Sequence, residues 1–396
     1  MKEPNIRFKG FRGEWEEAPF SEISTRKSNS ASTSVYPGVE FEDINSGEGT
    51  LNKDIRKKNI VKIGKLFYNG DVLFGKLRPY LKNILLAEFT GIAIGDFWVL
   101  HPQKVTSELL YILLNSREFM RIANISSGSK MPRADWNLVS STSFAYPEAK
   151  EEQCKLGSFF QHLDSLIQST TKKIESLKQV KAASLQSMFP QEGETTPRVR
   201  FKGFEGEWEK KTLGDCLTIN NERNQSNVYG INDVLSVSDE VGVVNQIKLL
   251  GRSYAGKSVV NYRVLKTNQI VYTKSPLKSK PYGIIKVNKG DIGIVSVLYA
   301  VYDANENVYP DYIHYYFEPI HRINNYLLPL INKGAKNTMN ISDEMALTGK
   351  IWIPSLEEQK KIADFLQALD SQITLQTLRL EKLKQIKAAC LDNMFV

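Results

Sequence analysis

The chain has 396 residues, of which 41% are hydrophobic and 24% charged, so it is long enough for two or three domains that each bury a core. This composition excludes an intrinsically disordered chain. The excess of 52 Lys and Arg residues over 44 Asp and Glu residues gives a formal net charge of +8, which favours a polyanionic partner such as nucleic acid.

The cysteines and the apolar stretches carry information about the compartment. Cys154, Cys216 and Cys390 lie far apart and form no Cys-x-x-Cys pair, so neither a disulfide framework nor a zinc site is expected. The first residues lack the apolar core of a signal peptide, and the most apolar stretch, from Ile84 to Leu100, contains two acidic residues. We therefore expect a cytoplasmic protein without a membrane segment.

The first recognisable element along the chain is a ten-residue segment that occurs twice. Arg7–Glu16, with the sequence RFKGFRGEWE, returns as RFKGFEGEWE at Arg200–Glu209, and the only difference is Arg12 against Glu205. A match of this length indicates that a whole module has been duplicated, because solenoid repeats are much shorter. The chain therefore has a pseudo-two-fold internal repeat.

A mixed α/β domain is predicted around each of these segments and the sequence that follows it. Short runs of β-branched and aromatic residues accompany helical patterns in residues 1–147 and again in residues 200–353. The interiors differ, since residues 70–79 have no close counterpart in the sequence around residues 268–276. The segments at the ends of the module are thus repeated, while the sequences inside the two domains differ.

Basic residues in turn-rich loops are the candidates for DNA contact. Lysine and arginine can hold phosphates or read guanine edges, and asparagine can read adenine edges. A single residue of this kind is more often only solvated, but these clusters occupy matching places in both copies. The predicted DNA-binding residues are Lys76, Arg78, Lys130 and Arg133 in the first domain and Lys274, Lys278, Lys280, Lys336 and Asn337 in the second.

A long helix is predicted after each domain, over residues 148–190 and 354–396, and residues 191–199 form the linker between the first helix and the second domain. The motif Glu-Glu-Gln opens both helices, and apolar residues then recur in alternating steps of four and three, which is the heptad seam of a coiled coil. The predicted pairing residues are Leu156, Phe160, Leu163, Ile167, Ile174 and Leu177 in the first helix and Ile362, Leu366, Leu369, Ile373, Leu380 and Leu383 in the second.

Two seams in one chain can be buried in two ways. They can pair with each other as an antiparallel coiled coil, or each can pair with a helix of another copy. We favour the internal pair because two matching seams in one chain can satisfy each other. The predicted fold class is therefore α+β, with two mixed α/β domains separated by two long antiparallel coiled-coil helices.

No catalytic or cofactor-binding motif accompanies these elements. The sequence has no phosphate-binding Gly-x-x-x-x-Gly-Lys-Ser/Thr loop, and no Gly-x-Gly-x-x-Gly segment follows a strand. The four histidines are scattered without a second ligand at metal-binding spacing. Pro310-Asp311 with Glu358-x-Lys360 is a loose nuclease-like pattern, which leaves a stand-alone nuclease as one alternative.

Together these features resemble the specificity subunits of type I restriction-modification systems. The resemblance rests on the paired Gly-Phe-x-Gly-Glu-Trp segments, the Gly-Ser-Lys and Gly-Ala-Lys loops late in the domains, and the Glu-Glu-Gln openings of the duplicated helices. It covers the whole chain and is strongest in the helices, from Glu151 to Phe189 and from Glu357 to Phe395.

That resemblance implies a role for each part. Each globular domain is expected to be a target-recognition domain that reads one half of a split, asymmetric sequence in double-stranded DNA. The helices are expected to dock two methyltransferase subunits, which restriction and translocation subunits join in the full complex. No catalysis is expected from this chain, and S-adenosylmethionine, ATP and magnesium are expected on the partner subunits. A coiled-coil scaffold that never touches DNA is the second alternative, beside the stand-alone nuclease.

Overall fold

The computed structural model describes residues 3–58, 61–125, 131–256, 258–277, 280–333 and 339–395. The chain divides into two compact units. Unit 1 comprises Met1–Lys173 and Gln376–Val396, and unit 2 comprises Ile174–Leu375. Each unit therefore contains one globular part, the first half of the long helix that follows it, and the second half of the other long helix.

Most strands of unit 1 precede a run of short helices, while one short helix follows the first strand and one strand follows the run. Its strands are β1 (Glu16–Pro19), β2 (Ser24–Lys27), β3 (Ser30–Ser32), β4 (Gly38–Val39), β5 (Ile44–Asn45), β6 (Thr50–Leu51), β7 (Ile63–Phe67), β8 (Val72–Gly75), β9 (Ile84–Leu86), β10 (Gly91–Ala93), β11 (Phe97–Pro102) and β12 (Ser143–Tyr146). Its helices are α1 (Phe20–Ile23), α2 (Ser107–Asn115), α3 (Arg117–Ala123), α4 (Trp136–Ser141) and α5 (Lys150–Ser187), which continues into unit 2.

An antiparallel sheet with the order β2-β11-β8-β9 forms the centre of unit 1. Successive residues of β11 face opposite sides, so that Trp98 and Leu100 join one core while Phe97 and Val99 join the other. Helices α2 and α3 cover the first face, and the sheet β3-β7-β10-β4 covers the second. The first four residues of β11 therefore form a continuous apolar run in the sequence, because both faces of the strand are buried there.

Unit 2 is built in a similar way, but among its described residues it lacks α-helical counterparts of α1 and α4 and has an extra helix between its strands. Its strands are β13 (Glu209–Thr212), β14 (Leu217–Asn220), β15 (Leu235–Ser238), β16 (Gly242–Asn245), β17 (Arg263–Leu265), β18 (Ile270–Thr273), β19 (Ile285–Val287), β20 (Gly293–Val295), β21 (Tyr299–Ala304), β22 (Asn332–Lys333), β23 (Met339–Asn340) and β24 (Lys350–Ile353). Its helices are α6 (Gln246–Leu250), α7 (Pro310–Phe317), α8 (Ile320–Leu327) and α9 (Leu356–Asn393), which continues into unit 1.

The central sheet of unit 2, with the order β14-β21-β18-β19, repeats the strand order of unit 1. Strands β8 and β18 occupy the same place, and a lysine follows each of them, Lys76 and Lys274. Residues 70–79 and the segment around residues 268–276 therefore share a position in the fold, although their sequences differ. Many different apolar side chains fit a strand that is buried on both faces, so the common position left little common sequence.

Both long helices are confirmed, each over 38 residues. Two glutamates lie in the first turn of each helix, where negative charge suits the helix dipole. All twelve predicted pairing residues are buried or half-buried. Their solvent exposure is lowest towards the start of each helix, at Phe160 in α5 and at Leu366 in α9.

Equivalent ion pairs join α5 to α9 within each unit. In unit 1, Asp164 of α5 lies 2.5 Å from the Lys387 ammonium of α9, and in unit 2, Lys181 of α5 lies 2.6 Å from the Asp370 carboxylate of α9. The two lysines are 206 residues apart, and so are the two aspartates, which is the spacing of the sequence repeat. Each helix thus contributes one lysine and one aspartate at matching positions.

The end of each long helix returns to a repeated segment in the same way. In unit 2 the Val199 N–H donates to the Ser187 carbonyl at 3.0 Å, and in unit 1 the Ile6 N–H donates to the Asn393 carbonyl at 2.9 Å. A tryptophan of each segment packs edge-on against a phenylalanine beyond each helix, with ring centroids 6.3 Å apart for Trp208 and Phe189 and 5.8 Å apart for Trp15 and Phe395. The same backbone hydrogen bond and the same ring contact therefore form at the ends of both long helices.

Metal sites and membrane spans have recognisable side-chain patterns. Among the residues that the structure describes, no group of three or more His, Cys, Asp or Glu side chains is placed to hold a metal ion. Within the same ranges, no helix combines the length and the apolar character needed to cross a bilayer.

Candidate nucleic-acid interface

Three of the predicted DNA-binding residues of unit 1 lie together where the chain leaves β8. The carbonyl of Lys76 accepts a hydrogen bond from the Ala134 N–H at 2.9 Å, and the N–H of Arg78 donates to the Pro132 carbonyl at 2.8 Å. These bonds hold two stretches of chain side by side. Lys76, Arg78 and Arg133 are thereby brought to one edge of the unit.

Asp96 provides a counter-charge for two of these three cations. Its carboxylate lies 3.3 Å from the Lys76 ammonium and accepts two hydrogen bonds from Arg133, at 3.0 and 3.1 Å. Partial burial opposes ionisation of this carboxyl, but the bonds from Arg133 and Lys76 hold the pKa of Asp96 below its ordinary value. Lys76 and Arg133 are therefore positioned by one shared carboxylate.

Arg78 differs from its two neighbours in both backbone and side chain. Its φ of 50° and ψ of 60° lie in the left-handed region, which non-glycine residues seldom adopt. Its side chain is exposed, and in the described part of the chain no carboxylate pairs with the guanidinium. The next turn, Pro79–Leu81, exposes the ring of Tyr80. Among the described residues, this edge therefore presents an exposed guanidinium without a carboxylate partner and an aromatic ring, which suit phosphates and base edges.

Lys274 of unit 2 is anchored at the place that Lys76 has in unit 1. Its N–H donates to the Leu298 carbonyl at 3.4 Å, and its ammonium lies 2.7 Å from the Asp343 carboxylate. Arg263 binds the same carboxylate at 2.5 Å. Burial opposes ionisation, but the bonds from Lys274 and Arg263 hold the pKa of Asp343 below its ordinary value. The position of the lysine is repeated, while the carboxylate comes from a different part of the fold.

The prediction that Lys280 contacts DNA is wrong in this structure. Lys280 is 3% exposed, and its ammonium binds the Asp239 carboxylate at 2.7 Å and the Glu318 backbone carbonyl at 2.9 Å. A buried lysine is retained by such partners and cannot reach a phosphate. The remaining predicted contacts, Lys130, Lys278, Lys336 and Asn337, lie outside the described residues.

A bidentate ion pair joins each repeated segment to its long helix, and the sequence analysis did not predict it. Arg7 binds the Glu152 carboxylate at 2.7 and 2.8 Å, and Arg200 binds the Glu358 carboxylate at the same two distances. Both carboxylates are almost completely buried. The signal was present in the sequence, because the arginine and the Glu-Glu-Gln motif are repeated together.

The glutamine of each motif fixes the loop before its helix. The side-chain oxygen of Gln153 accepts a hydrogen bond from the Thr106 N–H at 2.9 Å, and Gln359 does the same with the Tyr309 N–H at 2.9 Å. Each amide group also donates to the carbonyl of the proline that precedes the helix, at 2.8 and 3.0 Å. We call the set Arg7, Glu152 and Gln153, and its counterpart Arg200, Glu358 and Gln359, the helix clamps.

Residues 205–385 match the family model of the type I restriction modification DNA specificity domain. The putative type I restriction enzyme MjaX specificity subunit of Methanocaldococcus jannaschii is 23% identical over 382 residues, which cover 89% of this chain and 84% of that one. The solved S subunit of the type I restriction-modification system from M. genitalium covers 100% of this chain and 99% of that one, with a TM-score of 0.62 and 11% identity. The solved HsdS subunit from Thermoanaerobacter tengcongensis covers the same shares, with a TM-score of 0.46 and 18% identity.

The family model covers the second copy of the repeat, and unit 1 repeats its sheet order, its helix clamp and the packing of its tryptophan. The M. genitalium structure shares the fold over the full length of both chains. Residues 205–385 thus carry a type I restriction modification DNA specificity domain, and the chain as a whole is similar to a type I restriction enzyme specificity subunit.

Proposed function

We propose that each unit reads one half of a split, asymmetric sequence in double-stranded DNA. The observation that carries this proposal is the common position of Lys76 and Lys274 after equivalent strands, with different surroundings in the two units. Lys76 is followed two residues later by Arg78, whereas Lys274 is followed by Pro276, which has no side-chain donor. A repeated frame with different donors is suited to reading two different half-sequences.

We further propose that α5 and α9 pair as an antiparallel coiled coil and dock two methyltransferase subunits. The equivalent ion pairs of Asp164 with Lys387 and of Lys181 with Asp370 support the pairing. Val180 and Ile386, 206 residues apart, are exposed apolar residues at matching positions of the two helices. Two equal surfaces on one chain fit two copies of one partner.

The chemistry is proposed to belong to the partner subunits. In this proposal S-adenosylmethionine is bound by adenine methyltransferase subunits, and ATP and magnesium by restriction and translocation subunits that join the complex in the cytoplasm. The specificity-subunit family itself is non-catalytic, which supports this division of labour.

An exchange of one recognition domain tests the proposal. Residues 16–146, from β1 to β12, are replaced by the equivalent segment of another family member, and the chain is expressed with its methyltransferase. Methylation-aware sequencing should then show a motif with one half changed and the other half unchanged. A matched exchange of residues 209–353 should change only the other half. A motif that changes in both halves, or in neither, after a single exchange contradicts modular reading.

The two alternatives predict other results with the purified chain. A scaffold without DNA contact would give no mobility shift of duplex DNA at any salt concentration, whereas phosphate contacts give binding that weakens as salt rises. A stand-alone nuclease would cut DNA without partner subunits.

A further inference from the structure

We propose that Arg78 reads a guanine edge in the major groove and so determines one base of the half-target of unit 1. This inference rests on the proposed function, in which unit 1 reads DNA. Several basic residues of this loop are predicted from the sequence to contact DNA, and one of them is assigned the reading of a base.

The distribution of charge separates Arg78 from the other cations of its edge. Asp96 binds both Lys76 and Arg133, so these two side chains are oriented by the protein and share a counter-charge. In the described part of the chain, no carboxylate pairs with the guanidinium of Arg78. With respect to the described residues, the full fork of donors is available to an outside acceptor. Guanine offers the two acceptors O6 and N7 that match this fork.

The backbone holds Arg78 in a fixed and strained conformation. Its N–H is bound to the Pro132 carbonyl at 2.8 Å, and its own carbonyl accepts from the Leu81 N–H at 2.9 Å. Pro79 follows directly and restricts the backbone further. Glycine or asparagine would adopt this left-handed conformation at lower cost. Within the described ranges, the exposed arginine side chain makes no hydrogen bond or ion pair that would offset the strain. The fixed backbone does hold the planar guanidinium where it can reach the edge of a DNA base.

Unit 2 has no arginine at the sequence position equivalent to Arg78. The residue that follows Lys274 at the same distance is Pro276, which cannot donate a hydrogen bond from its side chain. The base determined by Arg78 should therefore belong to one half of the target only. A change in the motif after substitution of Arg78 should therefore appear in one half of the target and leave the other half as it was.

Replacement by lysine separates base reading from charge. The wild-type motif is first determined by methylation-aware sequencing of DNA from cells that express the complex. Duplexes with this motif and with single base replacements are then used in binding assays at several salt concentrations. Arg78→Lys keeps the charge but loses the fork, so the salt dependence should be unchanged while preference for guanine at one position falls by about five- to 150-fold.

Further variants show whether loss of the side chain or disturbance of the fold is responsible. Arg78→Gly relieves the left-handed backbone and should lose the same preference in a stably folded chain. Arg12→Ala removes another exposed arginine of unit 1 and should leave the motif intact. An unchanged motif in Arg78→Lys and Arg78→Gly overturns the inference, and so does a loss that is equal for all sequences and lowers the salt dependence. A wild-type complex that marks no sequence motif overturns the proposed function together with the inference.

Discussion

The residues of the helix clamp combine nearly complete burial with charge. Glu152 is 2% exposed, and its carboxylate accepts hydrogen bonds from two nitrogens of the Arg7 guanidinium. Removal of the arginine leaves a buried carboxylate without its partner, which is costly. We expect Arg7→Ala to lower the free energy of unfolding by about 3 kcal/mol, measured by urea denaturation.

Two further variants test the cause of that loss. Arg12→Ala, in the same segment and exposed, should change the free energy of unfolding by less than about 0.5 kcal/mol. Arg7→Ala combined with Glu152→Gln should be more stable than Arg7→Ala alone, because the charge that lost its partner is gone. Equal losses for Arg7→Ala and Arg12→Ala would show that the clamp adds nothing to stability.

Asp343 links the stability of unit 2 to pH. Its folded pKa lies below the ordinary value of 3.8, against the effect of burial, because Lys274 and Arg263 bind the carboxylate. The stabilisation it provides is therefore fully present above about pH 4 and is lost as pH falls through the folded pKa. We expect Asp343→Asn to be less stable than wild type near neutral pH, with a difference that shrinks below pH 4.

Thermal unfolding between about pH 3 and pH 7 measures this difference. Asp291→Asn, which changes an exposed carboxylate of the same unit, serves as the control and should follow the wild-type curve. A difference between Asp343→Asn and wild type that stays constant across this range would show that the ionised form has no special role.

At the scale of elements, the ion pairs between α5 and α9 offer a test of helix pairing. In unit 1, Lys387→Asp faces Asp164 with a like charge and should destabilise the chain by about 2 kcal/mol. Adding Asp164→Lys restores opposite charges and should recover at least half of the loss. Urea denaturation of the two single variants and the double variant provides the measurement.

Unit 2 provides the matched comparison for that exchange. Lys181 binds Asp370 and also the Glu318 carboxylate, both at 2.6 Å. After Lys181→Asp with Asp370→Lys, the new aspartate still faces Glu318, so recovery should be smaller than in unit 1. Equal recovery in both units would contradict the contribution of Glu318, and no recovery in unit 1 would contradict direct pairing there.

The success of the sequence predictions depended on how far apart in the chain the interacting residues lie. The heptad seams were visible because Ile167 and Ile373 belong to patterns that repeat every few residues. The helix clamp joins residues 145 positions apart, and no local pattern shows such a contact. Lys280 looked like a surface cation because its partner Asp239 lies 41 positions away. The basic residues near Arg78 were identified from the composition of their loops. The ion pairs of Asp96 and the left-handed backbone of Arg78 became visible only in the structure.

At the scale of the whole molecule, the proposed coiled coil predicts a fixed spacing between the two half-targets. One additional heptad after Gln168 and one after Thr374 would preserve both seams and lengthen the paired helices by about 10 Å. At about 3.4 Å per base pair, the preferred spacer should grow by roughly three base pairs. Methylation-aware sequencing should show the same two half-sequences with the longer spacer.

A control variant separates helix length from helix disruption. Insertion of only one heptad, after Gln168, should make the two helices unequal in length. Their seams would then no longer pair, and methylation should fall for targets of every spacer length. A double insertion that still marks the original spacer would show that the helices do not set the distance.

The two contacts at the helix ends have a topological consequence. Between Ser187 and Val199 the arrangement is spanned by a continuous chain, whereas Asn393 and Ile6 meet in the same geometry without a peptide connection. The same contact is thus formed with and without a linker between its two partners. A circularly permuted chain, closed between Phe395 and Ile6 by a copy of the linker and opened within residues 191–199, would contain every contact described here. We expect such a chain, expressed with its methyltransferase, to mark the same two half-targets as the original chain.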